Sequence, residues 1–530
     1  MNEPRTRFIL WAFLGILSAV FAPAAAQPSD YISQVNAFYA DIRRGPGSDP
    51  GLRSDLVLFP ALAAMSSPPA GVETPWKARM MHPGSSRWQT YEAWATADEQ
   101  KAVVAALDRV TSEPDFHRAM GFGQPYGVDG LADDELEFIA VGLYTDLDAG
   151  GTPMLIAADF KYFERLTWLE CLVYVEATRR AGSGDVPGAL DVLADLCYFG
   201  RQMADREFHA EKSRGMAIMI DALERIRDVV YVDLKGQQVL KRSPQAIADI
   251  IYRLDEVHAD RTDGFIGLRR IRFPRADLLA ARQAADVLLT NTGARAAQFV
   301  AVMAQMSSEG NPLRLFSEFA RWESMAQAQD GAPTARRYID AVYNDFERRW
   351  RLNNPFDREM ERLPEITRVP LATNIIVAMT LGELGSVLDV RWQLQVEVAG
   401  TRQALGLVGV YYAFGDWPND GAAVRPNWLP QEELDPMAPN RTARLHYFVP
   451  GRAGAPATLE MSITVEDAAN FRKQLDSTDF VLCSVGSDGV RNFARNVFNS
   501  VEESFDTDYL LWPPVLSLTR EEFIRTRRLR

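Results

Sequence analysis

The stretch FERLTWLECLVYVEATRRAGSGDVPGALDVLADLCYFGRQM, residues 163–203, constrains the fold of this chain more than any other. Apolar side chains recur at helical spacing on both sides of a Gly-Ser-Gly-Asp turn: Leu166, Leu169 and Val173 before it, Leu190, Leu193 and Cys197 after it. Two such stripes joined by so short a turn bury their apolar faces by folding back on each other as an antiparallel pair. The helical period continues. Met216, Met219, Leu223, Ile226 and Val230 share one face of the next helix, where a methionine stripe forms either a binding groove or, more commonly, core. RSPQAIADIIYRL offers Ser243 as a cap and Pro244 for the first turn, and Ile339, Val342, Phe346 and Trp350 line one face of a later helix. Residues 161–365 are therefore expected to form a domain of stacked helical hairpins.

What precedes this region differs in kind. Residues 1–26 combine Arg5 and Arg7, an apolar run from Phe8 to Ala22, and small residues at Ala24 and Ala26, the three-part layout of a secretory signal peptide. The apolar run is short for a membrane span, and no cysteine follows it to carry a lipid. The expectation is an exported protein, periplasmic or extracellular, starting near Gln27 and without a transmembrane span in the mature chain. Residues 27–160 mix short helical patterns with breaks such as RRGPGSDPG and SSPPAG, and read as an irregular, mostly helical region. A hydrophobic content of 47% supplies globular cores, and a formal net charge of −14 repels phosphate backbones, so nucleic acid is not an expected partner.

Beyond residue 366 the composition changes. ATNIIVAMTLGELGSVLDVRWQLQVEVAGTRQALGLVGVYYAF is a long helical pattern ending at GDWPNDG, and LHYFVPG, TLEMSITV and DFVLCSVG read as strands between turn residues. Residues 366–530 are expected to be a small α+β domain, a long helix plus a short antiparallel sheet. The fold class expected for the whole is mainly α.

Two resemblances add to this. The 163–203 hairpin looks like one of the tetratricopeptide-repeat kind, whose turn often carries a similar Gly-Asp pair, although no further copies recur at a fixed period. The order GDWP (415–418), WLPQEELDP (428–436), LHYF (445–448), FVLCSVGSDG (480–489) and DTDYLLWPP (506–514) resembles the globular half of type II secretion major pseudopilins. The same tail is similar to one found on large uncharacterised secreted bacterial proteins with helical N-terminal regions. The resemblance covers about residues 395–514 and implies a pilin-like fold, secretion-system or other envelope proteins as partners, and a Ca2+ site at Asp488, Asp506 and Asp508. Carboxylates at i and i+2 of a strand project to one face, so Asp506 and Asp508 are placed to reach one ion. The plainer reading makes Asp488 a turn residue and the other two strand caps. The chain departs from the family in two respects: more than half of it precedes the corresponding helix, and VRNFARNVFNSVEES replaces the acidic glycine-rich loop.

Signatures of chemistry are sparse. G-x-S-x-G, the Walker A sequence, G-x-G-x-x-G and H-E-x-x-H are all absent, and Ser183 in GSGD is more simply a turn residue. His82, His117, His209, His258 and His446 read as surface residues; His209 and Glu211, two apart on a helix, point to different sides. The acids of LADDELEF (131–138) suit a helix start. Cys171, Cys197 and Cys483 form no disulfide framework. Cys171 and Cys197 stand equally far from Gly184, and export makes a bridge chemically feasible, but Cys171 lies beside its helix's apolar stripe, which favours buried free thiols. The basic stretches RRIRFPR (269–275) and RTRRLR (525–530) either pair internally or face an anionic surface. The expected function is a non-catalytic scaffold or interaction protein of the cell envelope. The alternative is a hydrolase of envelope polysaccharide or peptide polymers with its site in the helical region.

Overall fold

The computed structural model describes residues 29–42, 53–112, 120–127, 131, 133, 135–149, 151–255, 267–308, 311–352, 354–452, 455, 457–465, 469–486, 488–498 and 508–529. The leader expected at 1–26 lies outside the described residues, as do Asp506, His117 and His258. The fold is mainly helical with small sheets. Its helices include α1 (Ser29–Ile42), α2 (Ser54–Ala64), α3 (Pro75–Met80), α4 (Asp98–Thr111), α5 (Phe163–Gly182), α6 (Val186–Met203) and α7 (His209–Lys235). There follow α8 (Pro244–Arg253), α9 (Ala276–Leu288), α10 (Ala296–Ser308), α11 (Pro312–Ala326), α12 (Ala332–Trp350), α13 (Ser386–Phe414) and α14 (Val515–Arg525).

The expected hairpin forms as α5 and α6. The Asp185 carboxylate accepts the Gly188 N–H at 3.0 Å and caps α6, while Gly184 takes the left-handed conformation that the turn requires (φ 87°). Cys171 and Cys197 are buried, unbridged thiols. The methionine stripe of α7 is core: Met216, Met219, Leu223, Ile226 and Val230 have no exposed surface. Helices α6 and α7 touch backbone to backbone where Gly200 meets Gly215. A Cβ at Gly200 would lie 2.8 Å from the Gly215 carbonyl oxygen. At 27 residues, α7 is about 40 Å long and packs against α5, α6 and α13, so it forms the axis of the molecule. Helix α8 begins at Pro244 as read, but Ser243 makes no side-chain capping bond, a correction to the capping role expected for it.

The long helical pattern after residue 373 divides into a short helix (Ile375–Leu381), a 3-10 turn (Gly382–Gly385) and α13, which ends at Gly415 in the left-handed conformation. Before the α5–α6 hairpin, β1 (Thr145–Asp146) pairs antiparallel with β2 (Asp159–Phe160); after α13 come six more strands, β3 (His446–Phe448), β4 (Leu459–Val465), β5 (Ala469–Leu475), β6 (Val481–Ser484), β7 (Asn496–Phe498) and β8 (Tyr509–Trp512). One sheet has the order β3-β6-β8 and is antiparallel, with His446 opposite Cys483. The other has the order β5-β4-β7, where β4 pairs antiparallel to β5 and parallel to β7. Trp512, fully buried, stacks on Phe480 at 5.1 Å and meets the Tyr231 ring of α7 edge-on at 5.6 Å. The first sheet is thereby seated on the helical core, and one apolar cluster runs from Leu58 to Trp512.

Charge closes the structure as well. Asp228 of α7, with no exposed surface, receives Arg520 of α14 at 2.7 and 2.8 Å and Ser517 at 2.5 Å, and it pairs with Arg225. Arg520 also donates to the Arg79 and Met80 carbonyls at the end of α3. The C-terminal and N-terminal segments are thus clasped together on α7. Among the described residues no helix is long and apolar enough to cross a membrane. Removing one partner of a buried charge pair leaves the other desolvated, which costs about 3–5 kcal/mol. Arg520→Ala should lower the free energy of unfolding by that amount in urea titration, whereas Arg472→Ala, at an exposed surface pair, should change it by no more than about 0.5 kcal/mol.

Candidate functional site

The loop after β6 holds the described part of the expected metal set, and its geometry comes from backbone amides. Asp488 Oδ1 accepts the Val490 N–H at 2.8 Å, closing the turn. Asp508, at the start of β8 and 1% exposed, accepts the Asn492 N–H at 3.1 and 3.2 Å and the Ala494 N–H at 2.5 Å. Asp435, from the LDP element, receives Ser484 Oγ at 2.7 Å and the Val485 and Met437 amides at 3.0 and 2.9 Å. Beside Asp508 lies a group that was not anticipated: Cys483 Sγ is 3.8 Å from both Asp508 Oδ2 and His446 Nδ1, and Arg491 Nε donates to His446 Nδ1 at 2.9 Å. His446, expected on the surface, is 8% exposed, because its β3 position opposite Cys483 turns it inward.

The electrostatics of this group oppose nucleophilic chemistry. Burial, with Asp508 and Asp435 nearby, raises the Cys483 thiol well above its ordinary range, and burial with Arg491 lowers His446 to about 3. A thiolate–imidazolium pair needs both shifts reversed. Among the described residues no group of three or more His, Cys, Asp or Glu side chains is arranged to hold a metal ion.

A second concentration of charge lies along α7. Arg79 Nη1 binds Asp221 at 2.8 Å and Glu224 at 2.9 Å, Glu170 of α5 pairs with Arg214, and Arg227 pairs with Glu397 of α13 at 2.5 Å. Glu397 also accepts the Tyr509 hydroxyl at 2.6 Å, and Gln393 donates to that hydroxyl at 3.0 Å. Glu224 caps α14 by accepting the Leu516 N–H at 3.2 Å. Glu170 is 1% exposed; burial raises its carboxyl to about 8, against the pull of Arg214, and burial raises Asp221 and Glu224 too. Desolvation thus shifts the Glu170 carboxyl toward its protonated form, in opposition to the Arg214 ion pair. Nothing local in the sequence marks this site, since Arg79, Glu170 and Glu224 come from three separate helices. The only signal was a charged residue at a core-facing helical position, as Glu170 is, one residue after Leu169.

His209 and Glu211 do point to different sides, as expected. His209 Nδ1 meets Asp277 at 2.6 Å, whereas Glu211 is fully buried and receives Arg206 at 2.8 Å and the Tyr162 hydroxyl at 2.5 Å. In the basic stretches, Arg275 pairs with Glu207 at 2.7 Å and Arg525 with Glu522 at 2.5 Å. On the surface, Asp30, Tyr31, Gln34, Leu279, Arg282, Arg336 and Asp340 line an open groove of about 340 Å³.

Glu170 makes stability depend on pH. Its folded pKa of about 8 exceeds the ordinary 4.5, so the folded chain holds a proton that the unfolded chain releases between those values. Its contribution is fully present below pH 4.5 and is lost as pH rises to about 8, at no more than about 1.4 kcal/mol per pH unit. Glu170→Gln, which mimics the protonated form, should flatten the fall in melting temperature across that window; an unchanged slope would show that Glu170 is ionised in the folded protein. No family model matches this chain, and comparison with curated proteins and with solved structures likewise finds no match.

Proposed function

We propose that this protein is an exported, non-catalytic interaction protein of the bacterial cell envelope, with a pseudopilin-like end formed by residues 366–530. The observation that carries this reading is the outer face of α11. Its inner face packs through Leu315, Phe319 and Trp322, while Leu313 and Phe316, one turn apart, are 84% and 76% exposed. A helix apolar on both faces, with two large apolar side chains one turn apart left open to water, is suited to contact another macromolecule. The leader-like residues 1–26 and the order of motifs in 415–514 support export and the pseudopilin likeness. A photo-crosslinking side chain at position 316 should form adducts with envelope components when the full-length chain is expressed in a bacterium that exports it, and one at exposed position 472 should not. Recovery of the chain in the cytoplasm with its leader uncleaved, or equal adducts from both positions, would sink the proposal.

One observation favours the hydrolase reading. Burial raises the Glu170 carboxyl within Coulombic range of Asp221, and the Arg79 guanidinium that pairs with Asp221 lies 5.7 Å from the Trp76 ring, a raised acid and a carboxylate near an aromatic side chain. Glu170 Oε2, however, is enclosed by protein atoms, and the other oxygen is held by Arg214. Release of soluble fragments from purified envelope polysaccharide by the wild type but not by Glu170→Gln would replace the first reading with this one.

A further inference from the structure

The described residues of the loop that the pseudopilin resemblance assigns to a cation present backbone donors to the Asp508 carboxylate. A calcium site presents six to eight oxygens to the ion. Around Asp508 the backbone presents N–H groups instead, from Asn492 and Ala494, and both carboxylate oxygens accept them. The conformation that aims these amides inward is uncommon: Phe493 and Ala494 are consecutive non-glycine residues in the left-handed region, at φ 58° and 52°. The Asn492 and Ala494 amides, which flank Phe493 in this turn, converge on one carboxylate in the manner of a backbone nest for an anion. Positive charge sits at the same place. The Arg491 guanidinium lies within Coulombic range of Cys483 and Asp508, donates from Nε to His446 Nδ1 at 2.9 Å, and lies 4.6 Å from the Phe493 ring. Asp488, the other described member of the expected metal set, has Oδ1 engaged by the Val490 amide. Its Oδ2 lies 3.5 Å from Asn492 Nδ2. Among the described residues, two backbone amides converge on Asp508.

We infer that residues 491–494 form an anion-binding nest whose resident ligand is the chain's own Asp508 carboxylate, with Arg491 as the balancing cation, so that this end of the fold is locked without calcium. The occupied nest ties the loop after β6 to the first residue before β8, and through β8 to Tyr509 and Trp512 on α7 and α13. A cavity of this polarity with its carboxylate removed is matched to a small carboxylate, which has the same planar pair of acceptor oxygens and the same charge.

The test uses the full mature chain. Wild-type melting temperature should be identical in millimolar calcium and in chelator. Asp508→Ala should melt lower, by about 2–4 °C or more, and added formate or acetate should restore part of the loss beyond what chloride at equal ionic strength does. Arg491→Gln should also melt lower and remain indifferent to calcium. A calcium-dependent rise in the wild type that Asp508→Asn abolishes overturns the inference, as does a formate effect on Asp508→Ala no larger than that of chloride. Should Asp508→Ala fail to fold, calorimetric titration of the wild type with calcium and the Arg491→Gln melt decide: heat of binding, or a variant as stable as the wild type, rejects the nest. The pseudopilin-like reading is judged separately, by fold and partner, so either result here leaves that test intact.

Discussion

Asp228 holds the two ends of this protein together. It is fully buried on the central helix, takes two hydrogen bonds from Arg520, one from Ser517 and an ion pair from Arg225, and Arg520 in turn closes the carbonyl end of α3. Two carboxylate oxygens surrounded by this many donors satisfy the main condition under which a buried charge is tolerated. The arrangement also sets topology. With α14 pinned to α7 and α3, strand β8 must run along α13, and the sheet it edges must sit where Trp512 meets Tyr231.

The rest of the interior charge follows from that placement. Acids and arginines are brought out of water along one side of α7, where desolvation outweighs pairing for Glu170, Asp221 and Glu224 and pushes all three carboxyls upward. In the sheet region the balance is struck differently. Asp508 is met by backbone amides rather than by a second full charge within hydrogen-bonding distance, and Arg491 reaches the cluster through His446. One half of the molecule is thus stapled by ion pairs between helices and the other by carboxylates capping loops, as Asp435 and Asp508 both do.

Much of the architecture was legible locally. The α5–α6 hairpin, its Asp185 turn, the buried methionine face of α7, the apolar face of α12 and the three strand segments that became β3, β4 and β6 all follow from period and punctuation, which act over a few residues. The misses share a cause. Ser243 has capping chemistry but no capping bond, and His446 reads as a polar surface residue yet is turned inward by pairing with β6. The amides that meet Asp488 and Asp508, from Val490, Asn492 and Ala494, were not legible either, because their orientation depends on a left-handed loop conformation that no residue type there announces.

By itself the sequence determined the class of the fold, the order of its helices and short strands, and which faces are apolar, because hydrophobic burial is written in periodicities of 3.6 and 2 that neighbouring residues share. Tertiary structure alone decided which charges went inside and what they touch. Asp228 and Arg520 are 292 residues apart, and Arg79 and Arg520 are 441 apart. Pairing over such distances leaves no local pattern, since a carboxylate destined for a buried clasp and one destined for solvent are the same residue until packing removes the water around one of them.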